Sequence, residues 1–381
     1  MIPYGKHQID NTDIEAVVEV LQNQFLTQGQ QVPLFEQALC DYTGADYALA
    51  VNSATSALHV ACLALDIGKN DVVWTTPITF VASANCIRFC DATVDFVDID
   101  PASRNVSVDV LKQKLILAEQ NQQLPKALIV VHFAGVSCEM QQISQLCQQY
   151  GVKIIEDACH ALGGDYQNQK IGNCRYSDIS IFSFHPVKSI TTAEGGALLS
   201  NQIELIEKAK LYAKHGVTRD SQLMQTQLDE PWAYQQLTLG YNYRLSDLNA
   251  ALGISQLKKL DSFIKQRRQL AYRYLEKLQH LALVLPSELQ LKSSACHLFS
   301  IEFLAFDRKQ AYLAFQAAQI GVNVHYMPVH WQPYYQQLGF KKGDFPISEQ
   351  YYKRTLTLPL FPDMSIEQQD QVIALLENLL Q

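Results

Sequence analysis

The sequence is poor in several features, and each shortage removes a class of function. It has no run of Lys and Arg, and its formal charge is −8. That argues against a nucleic-acid or anionic-membrane surface and points to a small-molecule partner. No apolar run approaches the roughly 20 residues needed to span a bilayer, and Met1–Asp10 lacks a charged-then-apolar targeting pattern. The nine cysteines are scattered singles, without Cys-x-x-Cys or a regular His spacing. They read as reduced, buried thiols of a cytoplasmic protein, so neither a disulfide framework nor a metal site is expected. No internal repeat or low-complexity tract is present. What is there, 381 residues with 48% hydrophobic and 18% charged, suits a globular protein of two or three domains with a large core.

Short apolar runs alternate with helical patterns. Strands are expected at Tyr47–Val51, Val72–Trp74, Val94–Val97, Ala127–His132 and Val152–Ile155, with helices at Thr55–Leu65, Ala82–Phe89, Val108–Ala118 and Glu139–Tyr150 between them. Runs that are apolar throughout imply a mostly parallel sheet covered on both faces, an α/β architecture. Asp178–Phe184 and Gly196–Ser200 would complete the sheet. Ahead of it, Thr12-Asp-Ile-Glu15 reads as a capping box opening a helix to Gln22, and a second helix starts near Val32. After the polar stretch Thr218–Gln236, one long helix is expected from Ser246 to Leu278 as a link between domains. The smaller domain would hold a strand at His297–Leu304, a helix at Arg308–Ala318, a strand at Val322–His325 and a last helix from Ile366 to Leu380. The domain division is drawn as 1–255, with an N-terminal arm, and 256–381.

Ligands of open α/β sheets sit at the carboxyl ends of strands, and several polar groups fall there. Asn52-Ser53-Ala54-Thr55-Ser56 opens a helix after the first strand, which makes either a phosphate cradle or a plain helix cap. Phe80 in Thr76–Phe80 follows the second strand, as a stacking platform for a flat ring or as core. Glu156-Asp157-Ala-Cys-His160 follows another; Asp157 can hold a proton on a pyridinium nitrogen, with His160 orienting it or flanking the ring, or the pair can be a simple cap. Lys188 in Ser183-Phe-His-Pro-Val-Lys188 can hold an aldehyde cofactor as a Schiff base. One lysine alone says little; four strand-end motifs together describe a pyridoxal phosphate site.

Read with Gly240-Tyr-Asn242-Tyr-Arg244-Leu-Ser-Asp-Leu-Asn-Ala-Ala251, these motifs resemble the DegT/DnrJ/EryC1/StrS family of fold-type I, pyridoxal phosphate-dependent sugar aminotransferases. The resemblance runs from Ile2-Pro-Tyr4 through Phe25-Leu-Thr-Gln-Gly29 and the strand ends to His325-Tyr-Met-Pro-Val-His330. It implies a mostly parallel sheet covered by helices plus a smaller C-terminal α/β domain. It also implies that Lys188 anchors pyridoxal 5'-phosphate and that Asp157 pairs with the ring nitrogen. Phe80 would stack on the ring, and Ser53, Ala54, Thr55 and Ser183 would line the phosphate. Asn242 would reach the phosphate of a neighbouring subunit, hence a homodimer with shared sites. Two positions depart from the common pattern: Ala54 stands where Ser-Gly-Thr is frequent, and Ala193 where Gly-Glu is frequent.

Family members that act as sugar 3-dehydratases carry histidine where this chain has Lys188, so lysine favours transamination. The resemblance then implies an amino donor, glutamate, that leaves pyridoxamine 5'-phosphate as intermediate, and ping-pong kinetics with Lys188 as both base and acid. The arm and the Phe25–Gln28 loop are most similar to the subgroup that aminates C4 of UDP-linked 2-acetamido-2,6-dideoxy-4-keto-hexoses on the route to pseudaminic acid. That likeness places Tyr4, Leu26, Thr27 and Gln28 around the sugar, with His325, Tyr326 and His330 near the nucleotide-sugar. The alternatives are a different keto-sugar aminotransferase or dehydratase, and a non-catalytic regulator retaining the fold; Lys188 and Asp157 in place and the lack of a DNA-binding segment speak against the last.

Overall fold

The computed structural model describes residues 1–226 and 230–380. Two helices, α1 (Asn11–Asn23) and α2 (Gln31–Thr43), precede the sheet. Next come β1 (Tyr47–Val51), α3 (Ala54–Ala64), β2 (Val72–Thr75), α4 (Ala82–Phe89), β3 (Thr93–Phe96), α5 (Val108–Gln120), β4 (Ala127–Val131), α6 (Met140–Tyr150) and β5 (Lys153–Asp157). The small hairpin β6 (Asp165–Tyr166) and β7 (Gln169–Lys170) leads to β8 (Ile179–Ser183), β9 (Gly196–Ser200) and α7 (Ile203–Ala213). The polar stretch carries the short pair β10 (Val217–Thr218) and β11 (Gln235–Gln236); its residues 227–229 lie outside the described ones.

The central sheet has seven strands in the order β1-β9-β8-β5-β4-β2-β3. All its pairings are parallel except those of β9, which runs against both β8 and β1. Alternate side chains serve opposite faces, as a pleated strand requires. In β4, Ile129 packs with α3, α4 and α7, while Leu128 and Val130 pack with α5 and α6. On that second face, α2, α8 (Asp247–Leu257) and the start of α9 (Leu260–Leu278) cover β1, β8 and β9 through Phe35, Leu39, Phe182 and Phe184. The strands are therefore buried on both sides, which is why their sequences lack polar alternation.

Helix α9 joins two cores. Phe263 and Ile264 pack with the sheet, whereas Leu270, Ala271, Tyr274 and Leu278 pack with a second cluster. That cluster surrounds the antiparallel strands β12 (Leu283–Val284), β13 (Phe299–Phe303) and β14 (Thr355–Leu358) and the C-terminal helix Ile366–Leu380.

Three local expectations need correction. Asp10, not Thr12, caps α1, with Asp13 closing the box on the Asp10 amide; a carboxylate at either end serves as well as a hydroxyl with glutamate. The long helix from Ser246 is two helices. The chain breaks at Lys258–Lys259, where the Lys259 amide bonds back to Gln256 O and its ammonium is held by Asp10 and Asp13. Val322–His325 forms no strand: Asn323 exchanges one pair of backbone hydrogen bonds with Thr357, and its side chain then takes the Val324 amide, which ends the ladder.

Candidate active site

The carboxyl ends of β1, β2, β5 and β8 and the start of β9 surround one cavity of about 450 Å³. Asp157 ends β5 and is buried. Its Oδ1 accepts the Cys159 amide at 3.2 Å and its Oδ2 accepts the Ser83 hydroxyl at 2.6 Å. Behind it, Glu156 takes His132 Nε2 at 2.7 Å, while His132 Nδ1 accepts the Cys138 amide, so the strand end is tied on its far side too.

Lys188 lies on the loop after β8 and lines the same cavity. Burial holds its ammonium below the usual lysine range; the nearby Cys159 and Asp157 oppose this. Desolvation disfavours the charged amine, which is the condition for a nucleophilic lysine.

The β1-to-α3 turn supplies the third part. Ser53 caps α3 by accepting the Ser56 amide at 3.1 Å, and Ser53, Ala54 and Thr55 face the cavity at the helix N-terminus. This turn presses on Gly196 so closely that a Cβ there would lie 2.4 Å from the Ala54 amide nitrogen. Ser183, at the end of β8, pairs with Gly196 and completes that wall. Small residues, a hydroxyl rim and a helix N-terminus form a seat for a phosphate dianion.

Phe80 is 60% exposed although it stands at the cavity wall, its ring 6.3 Å from that of Tyr326. An aromatic face open inside a cavity is one that a flat ligand can cover. A further wall comes from the N-terminal segment and the stretch 323–326. Tyr4 lies 5.8 Å from His325, and His325 Nδ1 bonds Thr357 Oγ1 at 2.8 Å. Tyr326 shares a 3.1 Å hydrogen bond with His160 Nε2. Burial and the Lys188 charge push His325 down to about 3 and His160 well below the usual histidine range; burial pushes the Tyr326 hydroxyl up. These groups are neutral at physiological pH and offer hydrogen bonds without charge.

The cavity thus gathers Tyr4, Ser53, Ala54, Thr55, Phe80, Asp157, His160, Ser183, Lys188, His325 and Tyr326. It does not gather the rest. Leu26 and Thr27 sit on an exposed loop, and Gln28 borders a separate pocket of about 210 Å³ with Lys214 and Arg244. Asn242 is exposed beside Asn52, next to the phosphate turn but not in the cavity. His330 is fully buried, bonded to Glu349 Oε1 at 3.0 Å, and is not part of the cavity lining.

Several residues escaped the sequence reading, four of them with polar groups that bear on the site. Thr79 and Ser83 stand four apart around Phe80, a spacing that puts two hydroxyls on one helical face and could have flagged them. Asn323 lines the cavity, and His297 packs its ring 4.4 Å from that of His160; no local signal marks either.

The donor set fits pyridoxal phosphate: a desolvated lysine, a carboxylate on a strand end, an uncovered aromatic face and a cradle that a single Cβ would fill. Comparison with known proteins agrees. The model of the DegT/DnrJ/EryC1/StrS aminotransferase family matches residues 7–377. A Campylobacter jejuni protein described as UDP-4-amino-4,6-dideoxy-N-acetyl-beta-L-altrosamine transaminase is 38% identical over 100% of this chain and 98% of its own. The solved structure of Helicobacter pylori PseC, an aminotransferase involved in pseudaminic acid biosynthesis, matches with a TM-score of 0.90 and 32% identity, over 100% of this chain and 99% of that one. The PLP form of the sugar aminotransferase Spr1654 from Streptococcus pneumoniae matches with a TM-score of 0.90 at 26% identity, over 100% of both chains.

Proposed function

The chain belongs to the DegT/DnrJ/EryC1/StrS aminotransferase family, and from that membership we propose that it moves an amino group to C4 of a UDP-linked 2-acetamido-2,6-dideoxy-4-keto-hexose, with pyridoxal 5'-phosphate as cofactor. The convergence of Lys188, Asp157, Phe80 and the Ser53–Thr55 turn on one cavity carries this reading. Among the described residues no helix is long and apolar enough to cross a membrane.

When bound, the cofactor supplies an aldehyde that accepts an amino group and a cationic ring that accepts electrons. The chain's own residues do the rest. Lys188 Nζ would anchor the aldehyde, and once an incoming amine has taken its place the freed Nζ, its basicity lowered by burial, can take a proton from a substrate carbon and return it. Asp157 holds the proton on the ring nitrogen by charge and hydrogen bond. Phe80 covers one ring face, and Ser53, Ala54, Thr55 and Ser183 receive the phosphate. Tyr4, His325, Tyr326 and His160 meet the sugar with neutral donors and acceptors. Leu26, Thr27, Gln28 and Asn242 act on the site of a second copy in a homodimer, which accounts for their standing outside the cavity of their own chain. His330, bonded to the buried Glu349, stands apart from this wall. We take residues 1–255 as the cofactor-binding part and 256–381 as the smaller domain.

Reconstitution with the cofactor, glutamate and a UDP-linked 4-keto sugar tests the proposal. Mass spectrometry and proton NMR should show a C4 amine formed by the wild type and none by Lys188→Ala. Deoxygenation at C3, or a 2-keto acid used as acceptor in preference to the sugar, overturns it.

A further inference from the structure

We infer that Ser83, supported by Thr79, is a positioning residue that sets the orientation of Asp157 toward the cofactor ring and ties the Phe80 platform to it. The inference rests on the cofactor reading above. Ser83 is fully buried on the first turn of α4, and Thr79 is 2% exposed just before it. Thr79 Oγ1 and Ser83 Oγ lie 2.7 Å apart, and Ser83 Oγ donates to Asp157 Oδ2 at 2.6 Å. With its own proton committed to the carboxylate, Ser83 can only accept from Thr79, so the chain runs in one direction: Thr79 O–H to Ser83, Ser83 O–H to Asp157.

Two consequences follow from this direction. A buried carboxylate receiving a hydroxyl and an amide is held in one orientation and still has lone pairs for a ring N–H. Hydrogen bonds in series also strengthen one another, so Thr79 acts on Asp157 at one remove. The same turn carries Phe80 between the two hydroxyls, and Ser83 Oγ also lies 3.4 Å from Phe80 O. The group that meets the ring nitrogen and the group that meets the ring face are thereby fixed to each other.

The test uses the full chain loaded with pyridoxal 5'-phosphate. Ser83→Ala and Thr79→Val delete one hydroxyl each, and Ser83→Thr and Thr79→Ser keep it. The readouts are the cofactor dissociation constant, the pH midpoint of the bound cofactor's absorbance change and the melting temperature of the apoprotein. Loss of a hydrogen bond to a charged group should weaken cofactor binding about tenfold or more in Ser83→Ala and shift the absorbance midpoint. Thr79→Val should shift it the same way by less, and the hydroxyl-keeping variants should stay near wild type. An unshifted midpoint and unchanged affinity in both Ser83→Ala and Thr79→Val overturn the inference. So does an equal loss in the hydroxyl-keeping variants, which would make the effect one of packing. If Ser83→Ala does not fold, Thr79→Val decides alone. A wild type that binds no cofactor sinks the functional reading instead, so the two failures are distinct.

Discussion

Replacing Gly196 by alanine should damage the phosphate seat and leave the fold standing. The new Cβ would stand 2.4 Å from Ala54 N, 2.5 Å from Ser53 C and 2.7 Å from Ala54 Cα. All three are backbone atoms at the helix N-terminus, so no side chain can swing aside. Restoring ordinary contact means separating β9 from the start of α3 by about 1 Å, enough to break a hydrogen bond from the turn to the phosphate, which costs about tenfold or more in affinity. Overpacking a buried site costs about 1–3 kcal/mol of stability, which a chain of this size can survive. The measurement is the cofactor's dissociation constant, with the apoprotein melting curve as companion. Gly68→Ala is the control, since a Cβ there meets nothing within 4 Å. A Gly196→Ala protein that binds the cofactor as tightly as the wild type would refute the idea that this contact shapes the seat.

Acid should destabilise the apoprotein earlier than its carboxylates alone require. His325 titrates near 3 in the fold against about 6.5 unfolded, so its stabilising share is full above 6.5 and shrinks as pH falls toward 3, by about 2 kcal/mol at pH 5; His160 and His297 are shifted the same way. Melting curves between pH 7 and 5 should therefore be flatter for His325→Gln, and an unchanged slope counts against it. Asp247→Ala should cost about 1–3 kcal/mol, because its fully buried carboxylate takes the amides of Gly29 and Gln31; denaturant unfolding reads this, and a loss below a few tenths contradicts it. In Phe80→Ala the cofactor should bind more weakly while the apoprotein's melting temperature holds, since the ring is exposed until a ligand covers it; equal affinity by equilibrium dialysis would deny it a stacking role.

The sheet was legible because its strands are buried on both faces and so stand out as short apolar runs such as Ala-Leu-Ile-Val-Val. The break at Lys258–Lys259 was not, since neither glycine nor proline marks it and its cause is an ion pair with α1, distant in sequence. β14, Thr355–Leu358, was missed because four residues after a helix carry too little pattern to separate from a helix end. In the site, strand-end residues announced themselves through their neighbours. His297 did not, and the Thr79–Ser83 spacing hinted at Ser83 without its role, because what makes each matter is a partner, His160 or Asp157, brought close only by the sheet and by the joining of the two cores.

The reversed direction of β9 also bears on when the site can come into being. Gly196 pairs at once with Val51 and Ser183, so the seat exists only after the first strand made has found one made much later. Contacts so far apart along the chain form slowly, because a large loop must close before they give anything back. The cofactor therefore cannot template the early collapse; it meets a sheet whose outer strand has already docked, and by binding only that form it locks the last pairing in place.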